Sequence, residues 1–121
     1  MKICMPTLDD RGLAAPLSSH FGSAPFFTFV DSETGRCEAV VNPHAQHAPG
    51  RCDASRSVEQ RGAGAVVCTG LGRNAFAALV AARVAVFQAP PGDVGESLAA
   101  LRAGRLRRLP AAEACGGGHR C

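Results

Sequence analysis

The chain has 121 residues, of which 46% are hydrophobic and 19% are charged, and a formal charge of +3, which fits one folded domain and excludes a disordered protein. Because Trp and Tyr are absent, few aromatic side chains could stack on nucleic-acid bases, and the longest apolar run, residues 75–82, is too short to cross a bilayer. The N-terminus lacks the apolar segment of a signal peptide, so we expect a cytoplasmic protein with no membrane or nucleic-acid partner.

The first half of the chain predicts one strand followed by a hairpin. Its strongest strand pattern is aromatic and β-branched, and the proline at position 6 is expected to end the first strand. In chain order, the predicted elements are a strand over residues 2–6, an irregular stretch over 13–22, a strand over 26–31, its hairpin partner over 36–42 and a loop over 43–50.

Helices and strands alternate in the second half of the chain. The predicted elements are a helix over residues 53–61 ended by Gly62, a strand over 65–68, a helix over 73–82, a strand over 84–87 and a last helix ended by Gly104. The helix over 73–82 has Phe76, Leu79 and Val80 on one apolar face. The last helix begins with an Asp93–Glu96 capping box and turns Val94, Leu98 and Leu101 inward. This order predicts a single α/β domain with a mixed sheet over residues 1–109 and a flexible Gly/Cys/His tail over 110–121.

Six cysteines occur, and none of them is part of a C-x-x-C motif. This argues against a thioredoxin-type redox site and a common zinc ribbon. Without an export signal, we expect free thiols or metal ligands rather than a disulfide framework. Cys68 and Cys4 lie in predicted strands and are interpreted as core residues, although a ligand role for Cys4 stays open, and Cys37 receives no role.

The loop after the strand over residues 65–68 is the first candidate site. Gly70 and Gly72 allow a ligand to approach the backbone, and Arg73 and Asn74 follow at the start of a helix. Free backbone amides at such a turn bind anions. The alternative is that the glycines only turn the chain, and the third glycine of a dinucleotide fingerprint is absent.

Histidines and cysteines form two further candidate groups. The groups are His44, His47 and Cys52 in a Pro/Gly-rich loop, and Cys115, His119 and Cys121 in the tail. Imidazole and thiolate ligands at such spacing suit a thiophilic metal ion, and glycine lets the tail wrap around one. The alternatives are a polar surface loop and a disordered tail that is prone to oxidation.

Several motifs, in order along the chain, resemble the dinitrogenase iron-molybdenum cofactor biosynthesis family, which includes NifX-like carriers and the C-terminal domain of NifB proteins. They are residues 1–7, Ser19-His20-Phe21-Gly22 followed by residues 24–27, Asn42-Pro43 with histidines nearby, and residues 70–76. The resemblance implies a ribonuclease-H-like fold with a mixed five-stranded sheet flanked by helices. It further implies that His20 is a ligand of a metal–sulfur cluster and that the glycine loop lines the same cleft.

The predicted function is therefore a non-catalytic carrier of an iron–sulfur or iron–molybdenum–sulfur cluster, or of its precursor. Its partners would be proteins that donate and accept the cluster, and we expect a monomer or weak dimer. One alternative is a sensor that binds zinc, copper or iron through the loop and tail ligands, and another is an adaptor that binds only proteins. A nuclease would need several carboxylates around paired metal ions, and the first predicted strand has none.

Overall fold

The computed structural model describes residues 1–42 and 58–109. Six strands and three bounded helices occur in these two ranges. They are β1 (Lys2–Thr7), a 3-10 helix (Gly12–Ala14), β2 (Phe26–Asp31), β3 (Cys37–Val41), β4 (Ala65–Cys68), α1 (Arg73–Ala81), β5 (Ala85–Gln88), α2 (Val94–Arg102) and β6 (Arg107–Arg108). Residues 58–60, which precede β4, are also helical.

The strands form one mixed sheet with the order β3-β2-β1-β4-β5-β6. Strands β1, β4 and β5 are parallel, whereas β2 is antiparallel to β1 and β3, and β6 is antiparallel to β5. The predicted α/β domain with a mixed sheet is confirmed. The ribonuclease-H-like topology that the resemblance implies stays a prediction.

The expected number of five strands is wrong, because the chain adds β6 after α2. This strand has two residues, Arg107 and Arg108, which pair with Gln88 and Phe87. The backbone N–H of the buried Leu109 then donates to a carbonyl of β5 at 2.8 Å. Two residues carry no alternating pattern, so the sequence alone did not indicate this strand.

The first strand does not end at Pro6, as the sequence predicted, but continues to Thr7. β1 pairs with β2 along its whole length and with β4 only at Ile3 and Cys4. Beyond that point the carbonyl of Pro6 accepts the backbone N–H of Ser18 at 2.8 Å. Proline removes only a backbone donor, so a strand position that uses its carbonyl tolerates it.

Both faces of the sheet are covered, because alternate strand residues enter two separate apolar clusters. On one face α1 packs through Phe76 and Leu79, and on the other face α2 packs through Val94 and Leu98. Val80 was predicted to face inward, but its side chain is 51% exposed. A helix of nine residues against a sheet buries only a narrow stripe, and Val80 lies outside it.

The predicted capping box of α2 is confirmed. The carboxylate of Asp93 accepts the N–H of Glu96 at 2.8 Å, and the carboxylate of Glu96 accepts the N–H of Asp93 at 3.1 Å. Gly104 and Gly62 follow helices with φ of 70° and 74°, the left-handed conformation that glycine adopts without steric cost. The local signals for helix ends are therefore correct at these positions.

Three predicted segments lie partly or wholly outside the described residues. They are the loop over 43–50, residues 53–57 of the helix predicted over 53–61, and the tail over 110–121. The boundary between the domain and the tail stays a prediction. Within residues 1–42 and 58–109, no helix is both long enough and apolar enough to cross a membrane.

Candidate functional site

The carboxyl ends of β1, β4 and β5 meet at one edge of the sheet, because these three strands are parallel. The chain leaves β1 toward β2 on one side, and it leaves β4 toward β5 on the other side. Loops that diverge in this way leave a crevice between them, which is where open α/β sheets bind ligands. The loop that contains His20 follows β1, and the glycine loop follows β4.

A side-chain hydrogen bond joins these two loops. The hydroxyl of Thr69, the first residue after β4, donates to the backbone carbonyl of Ser18 at 3.3 Å. Ser18 is two residues before His20, and Gly70 follows Thr69 directly. The fold thus brings the segments around His20 and Gly70 together, although 51 positions separate Ser18 from Thr69 in the chain.

His20 is exposed, and buried residues lie two positions before it and directly after it. On its N-terminal side, the hydroxyl of Ser18 accepts the backbone N–H of His20 at 3.1 Å and donates to its carbonyl at 3.0 Å. On its C-terminal side, Phe21 is fully buried and its ring centroid lies 5.2 Å from that of Phe27. The backbone is held on both sides while the imidazole remains accessible to solvent.

The glycine loop is anchored by Leu71, which is fully buried. Gly70 and Gly72 on either side of it are half-buried, whereas Arg73 and Asn74 are exposed. No side chain caps the start of α1, and its first turn contains no acidic residue. The first amides of the helix and the guanidinium therefore create a positive electrostatic environment at the crevice, which favours an anion.

Asn42 directly follows β3 and bonds to the segment that comes after His20. Its side-chain amide donates to the backbone carbonyls of Gly22 at 3.1 Å and Ala24 at 2.8 Å, and the residue is 3% exposed. These bonds hold the segment that follows His20. Asn42 belongs to one of the motifs of the family resemblance, and only its burial shows that it supports the site.

The described cysteines are free, and two of them belong to the core. Cys4 and Cys68 are both 0% exposed and lie in the same apolar cluster. Burial raises the pKa of the Cys68 thiol to about 12, and burial followed by the neighbouring Cys68 raises the pKa of the Cys4 thiol well above its ordinary value. Both thiols lie inside this apolar cluster, where the raised pKa disfavours the thiolate form that binds metals, so the structure favours the interpretation of Cys4 as a core residue. Cys37 is exposed on the edge strand β3.

The remaining predicted ligands cannot be located, because they lie outside the described residues. They are His44, His47, Cys52, Cys115, His119 and Cys121. Within the described ranges, no three or more His, Cys, Asp or Glu side chains are grouped so that they could hold a metal ion. Of the predicted ligands, only His20 is in the described part of the chain, and its role stays a prediction.

The pattern of a family described as dinitrogenase iron-molybdenum cofactor matches residues 1–104. The chain belongs to the dinitrogenase iron-molybdenum cofactor family. The matched residues include β1, the His20 loop and the glycine loop, so the family assignment covers both loops of the crevice. It confirms the resemblance that the sequence motifs indicated. No curated protein matches the chain.

Three solved structures that are similar to the chain share its architecture. A candidate NifB protein from Thermotoga, assigned to the DUF35 family, is 30% identical with a TM-score of 0.78, and the alignment covers 89% of this chain and 92% of that one. The apo form of the orange protein from Desulfovibrio gigas is 26% identical with a TM-score of 0.82, at the same coverages of 89% and 92%. A candidate dinitrogenase from Methanocaldococcus jannaschii is 14% identical with a TM-score of 0.66 over 90% of this chain and 94% of that one, a similarity that concerns the fold alone.

Proposed function

We propose that this protein is a non-catalytic carrier that holds an iron–sulfur or iron–molybdenum–sulfur cluster, or a precursor, as cargo in the biosynthesis of a metallocluster. Membership of the dinitrogenase iron-molybdenum cofactor family supports a role in the formation of that cofactor. The single structural observation that carries the proposal is the hydrogen bond from Thr69 to Ser18, which joins the His20 loop to the glycine loop.

The chemistry of these two loops suits a metal–sulfur cluster. Such a cluster is an anion with metal ions at its surface, and it needs an imidazole or thiolate ligand for a metal and N–H donors for its sulfides. In the proposed site the exposed imidazole of His20 supplies the ligand. The backbone at Gly70 and Gly72 and the start of α1 supply donors, and Arg73 supplies positive charge.

Weak attachment is consistent with delivery rather than permanent storage. In the described residues one imidazole serves this site, and the thiols of Cys4 and Cys68 are buried in the core. A cluster held by few protein ligands can be passed to an acceptor without breaking many bonds. The predicted ligands His44, His47 and Cys52 and those in the tail would add to this set, and donor and acceptor proteins are the proposed partners.

Anaerobic reconstitution with ferrous iron and sulfide, with and without tetrathiomolybdate, tests the proposal. After desalting, the wild-type protein should retain iron and absorb broadly in the visible range. His20→Ala should lose about tenfold in affinity for the cluster, the effect of about one ligand contact, with an unchanged melting temperature because the imidazole is exposed. Ser19→Ala is the matched control, since it changes the exposed neighbour of His20.

Two results would contradict the proposal. A His20→Ala protein that retains the cluster as the wild type does would remove the assigned ligand. A wild-type protein that stays colourless and instead binds zinc stoichiometrically would favour the metal-ion sensor.

A further inference from the structure

Ser18 is a buried polar residue at the start of an exposed turn, with 4% of its surface accessible. Its backbone N–H donates to the carbonyl of Pro6 at 2.8 Å, and its carbonyl accepts the hydroxyl of Thr69 at 3.3 Å. Its own hydroxyl bonds to both backbone groups of His20, at 3.1 Å and 3.0 Å. One residue therefore connects the end of β1, the end of β4 and the backbone of His20.

These bonds continue along the edge of the sheet on the side of β5. The side-chain amide of Gln88 donates to the carbonyl of Thr69 at 3.4 Å, and the guanidinium of Arg107 donates to the side-chain oxygen of Gln88 at 3.0 Å. Thr69 is thus held through its carbonyl on one side and binds Ser18 through its hydroxyl on the other. A threonine fixed in this way is a rigid support for the turn that carries His20.

The Ser18 hydroxyl bonds to the backbone of His20, the proposed ligand, and this distinguishes Ser18 from other buried serines. Apolar packing of Phe21 already anchors the chain after His20, so the fold itself does not depend on a second anchor. The bonds of the Ser18 hydroxyl restrict the backbone of His20, whose side chain is exposed. A ligand that is fixed before its cargo arrives loses less conformational entropy on binding.

We propose that Ser18 is a positioning residue of the cargo site, and that Thr69 couples it to the glycine loop. Ser18 fixes the backbone of His20, and the bond from Thr69 keeps the imidazole and the loop amides on the same side of one crevice. This inference rests on the proposed function, because it assigns a role to residues that do not themselves touch the cluster.

The experiment uses the full chain and four variants. Ser18→Ala removes the hydroxyl, Thr69→Val removes the coupling donor with little change of shape, and Thr69→Ser restores that donor. Ser97→Ala is the matched control, since Ser97 is also 4% exposed but lies on α2, against the other face of the sheet. Each protein is loaded with ferrous iron and sulfide, and three quantities are measured: the rate of iron release to a chelator, the nitrogen hyperfine coupling of the reduced cluster, and the hydrogen exchange of the His20 amide in the metal-free protein.

In Ser18→Ala, the His20 amide should exchange about tenfold faster, because one hydrogen bond of typical net strength is lost. Iron release should accelerate about tenfold in Ser18→Ala and Thr69→Val, and the nitrogen coupling should weaken. Thr69→Ser and Ser97→Ala should behave as the wild type does. A merely structural role would lower the melting temperature without changing the nitrogen coupling of the protein that remains folded.

Failure of this inference can be distinguished from failure of the proposed function. If His20→Ala loses the cluster while Ser18→Ala and Thr69→Val keep both the release rate and the nitrogen coupling, Ser18 has no positioning role and the proposed function stands. If His20→Ala keeps the cluster, the proposed function fails first. Should Ser18→Ala not fold, Thr69→Val still tests the coupling, because it removes only the bond to the Ser18 carbonyl, and an unchanged release rate and nitrogen coupling in Thr69→Val would overturn the proposal.

Discussion

The buried thiols of Cys4 and Cys68 should make the domain less stable at alkaline pH. Burial raises the pKa of Cys68 from 9.0 to about 12. The pKa of Cys4 is raised by burial and by the adjacent Cys68, and only partly lowered again by Arg61. Unfolding exposes both thiols and returns their pKa to the ordinary value. Above that value the unfolded chain releases protons that the folded chain keeps, so the unfolded state gains stability.

The size of this effect follows from the difference in pKa. The stabilisation is fully present below pH 9.0 and is lost as the pH rises toward about 12. At pH 10, one thiol should lower the free energy of unfolding by about 1.4 kcal/mol and two thiols by about 3 kcal/mol. A small domain has a total of only ~5–15 kcal/mol. Because the chain contains no Tyr and a single lysine, Lys2, its cysteines are the main side chains that ionise in this pH range.

Urea unfolding followed by far-UV circular dichroism, in the presence of a reductant, measures this loss. The wild type and Cys68→Ala are compared at about pH 7 and about pH 10, and the difference between the two pH values is taken for each protein. The substitution also changes the free energy of unfolding through packing, and this change is the same at both pH values, so it cancels in the difference. We expect the wild type to lose about 3 kcal/mol and Cys68→Ala about half as much.

Cys37→Ala is the control for this experiment, because Cys37 is exposed on β3 and is not part of the buried pair. It should reproduce the pH dependence of the wild type. The reasoning is refuted if Cys68→Ala loses as much stability as the wild type between the two pH values, or if Cys37→Ala reduces the loss equally.

Three further substitutions test local features of the fold. Asp93→Ala removes the cap that accepts the N–H of Glu96 and should cost about 1 kcal/mol in urea unfolding; no cost would mean that the capping box is unimportant in solution. Asn42→Ala removes the donor to two loop carbonyls and should cost about 2 kcal/mol, whereas an unchanged unfolding midpoint would show that water replaces these bonds. Arg83 has a φ of 63°, so Arg83→Gly should relieve strain of about 1 kcal/mol and raise the melting temperature by a few degrees, and a lower melting temperature would contradict this reading.

Much of the secondary structure could be predicted from the sequence, because its signals are local. The strands over residues 26–31 and 65–68 have the predicted bounds, and the capping box between Asp93 and Glu96 is formed as expected. Each of these signals depends on neighbouring residues only: branched and aromatic side chains for strands, and a side chain that reaches the backbone three residues away for the cap. Tertiary contacts did not need to be known for them.

The errors arose where a distant partner decides the local structure. Pro6 stays within β1 because its carbonyl bonds to Ser18 in a later loop, and β6 exists because β5 offers an unpaired edge to Arg107 and Arg108. Val80 faces solvent because of where α1 lies on the sheet. A pattern of adjacent residues contains no information about such partners.

The sequence by itself determined the family, the mixed α/β class and the residue types that a cluster site would need. Only the tertiary structure decided that the segments around His20 and Gly70 meet, since this requires β1 and β4 to be parallel neighbours whose ends face the same edge. It also decided that the side chains of Cys4 and Cys68 lie in one buried cluster, which raises the pKa of both thiols. Residue type and spacing describe what a chain can do chemically, whereas proximity and desolvation arise only when distant segments pack together.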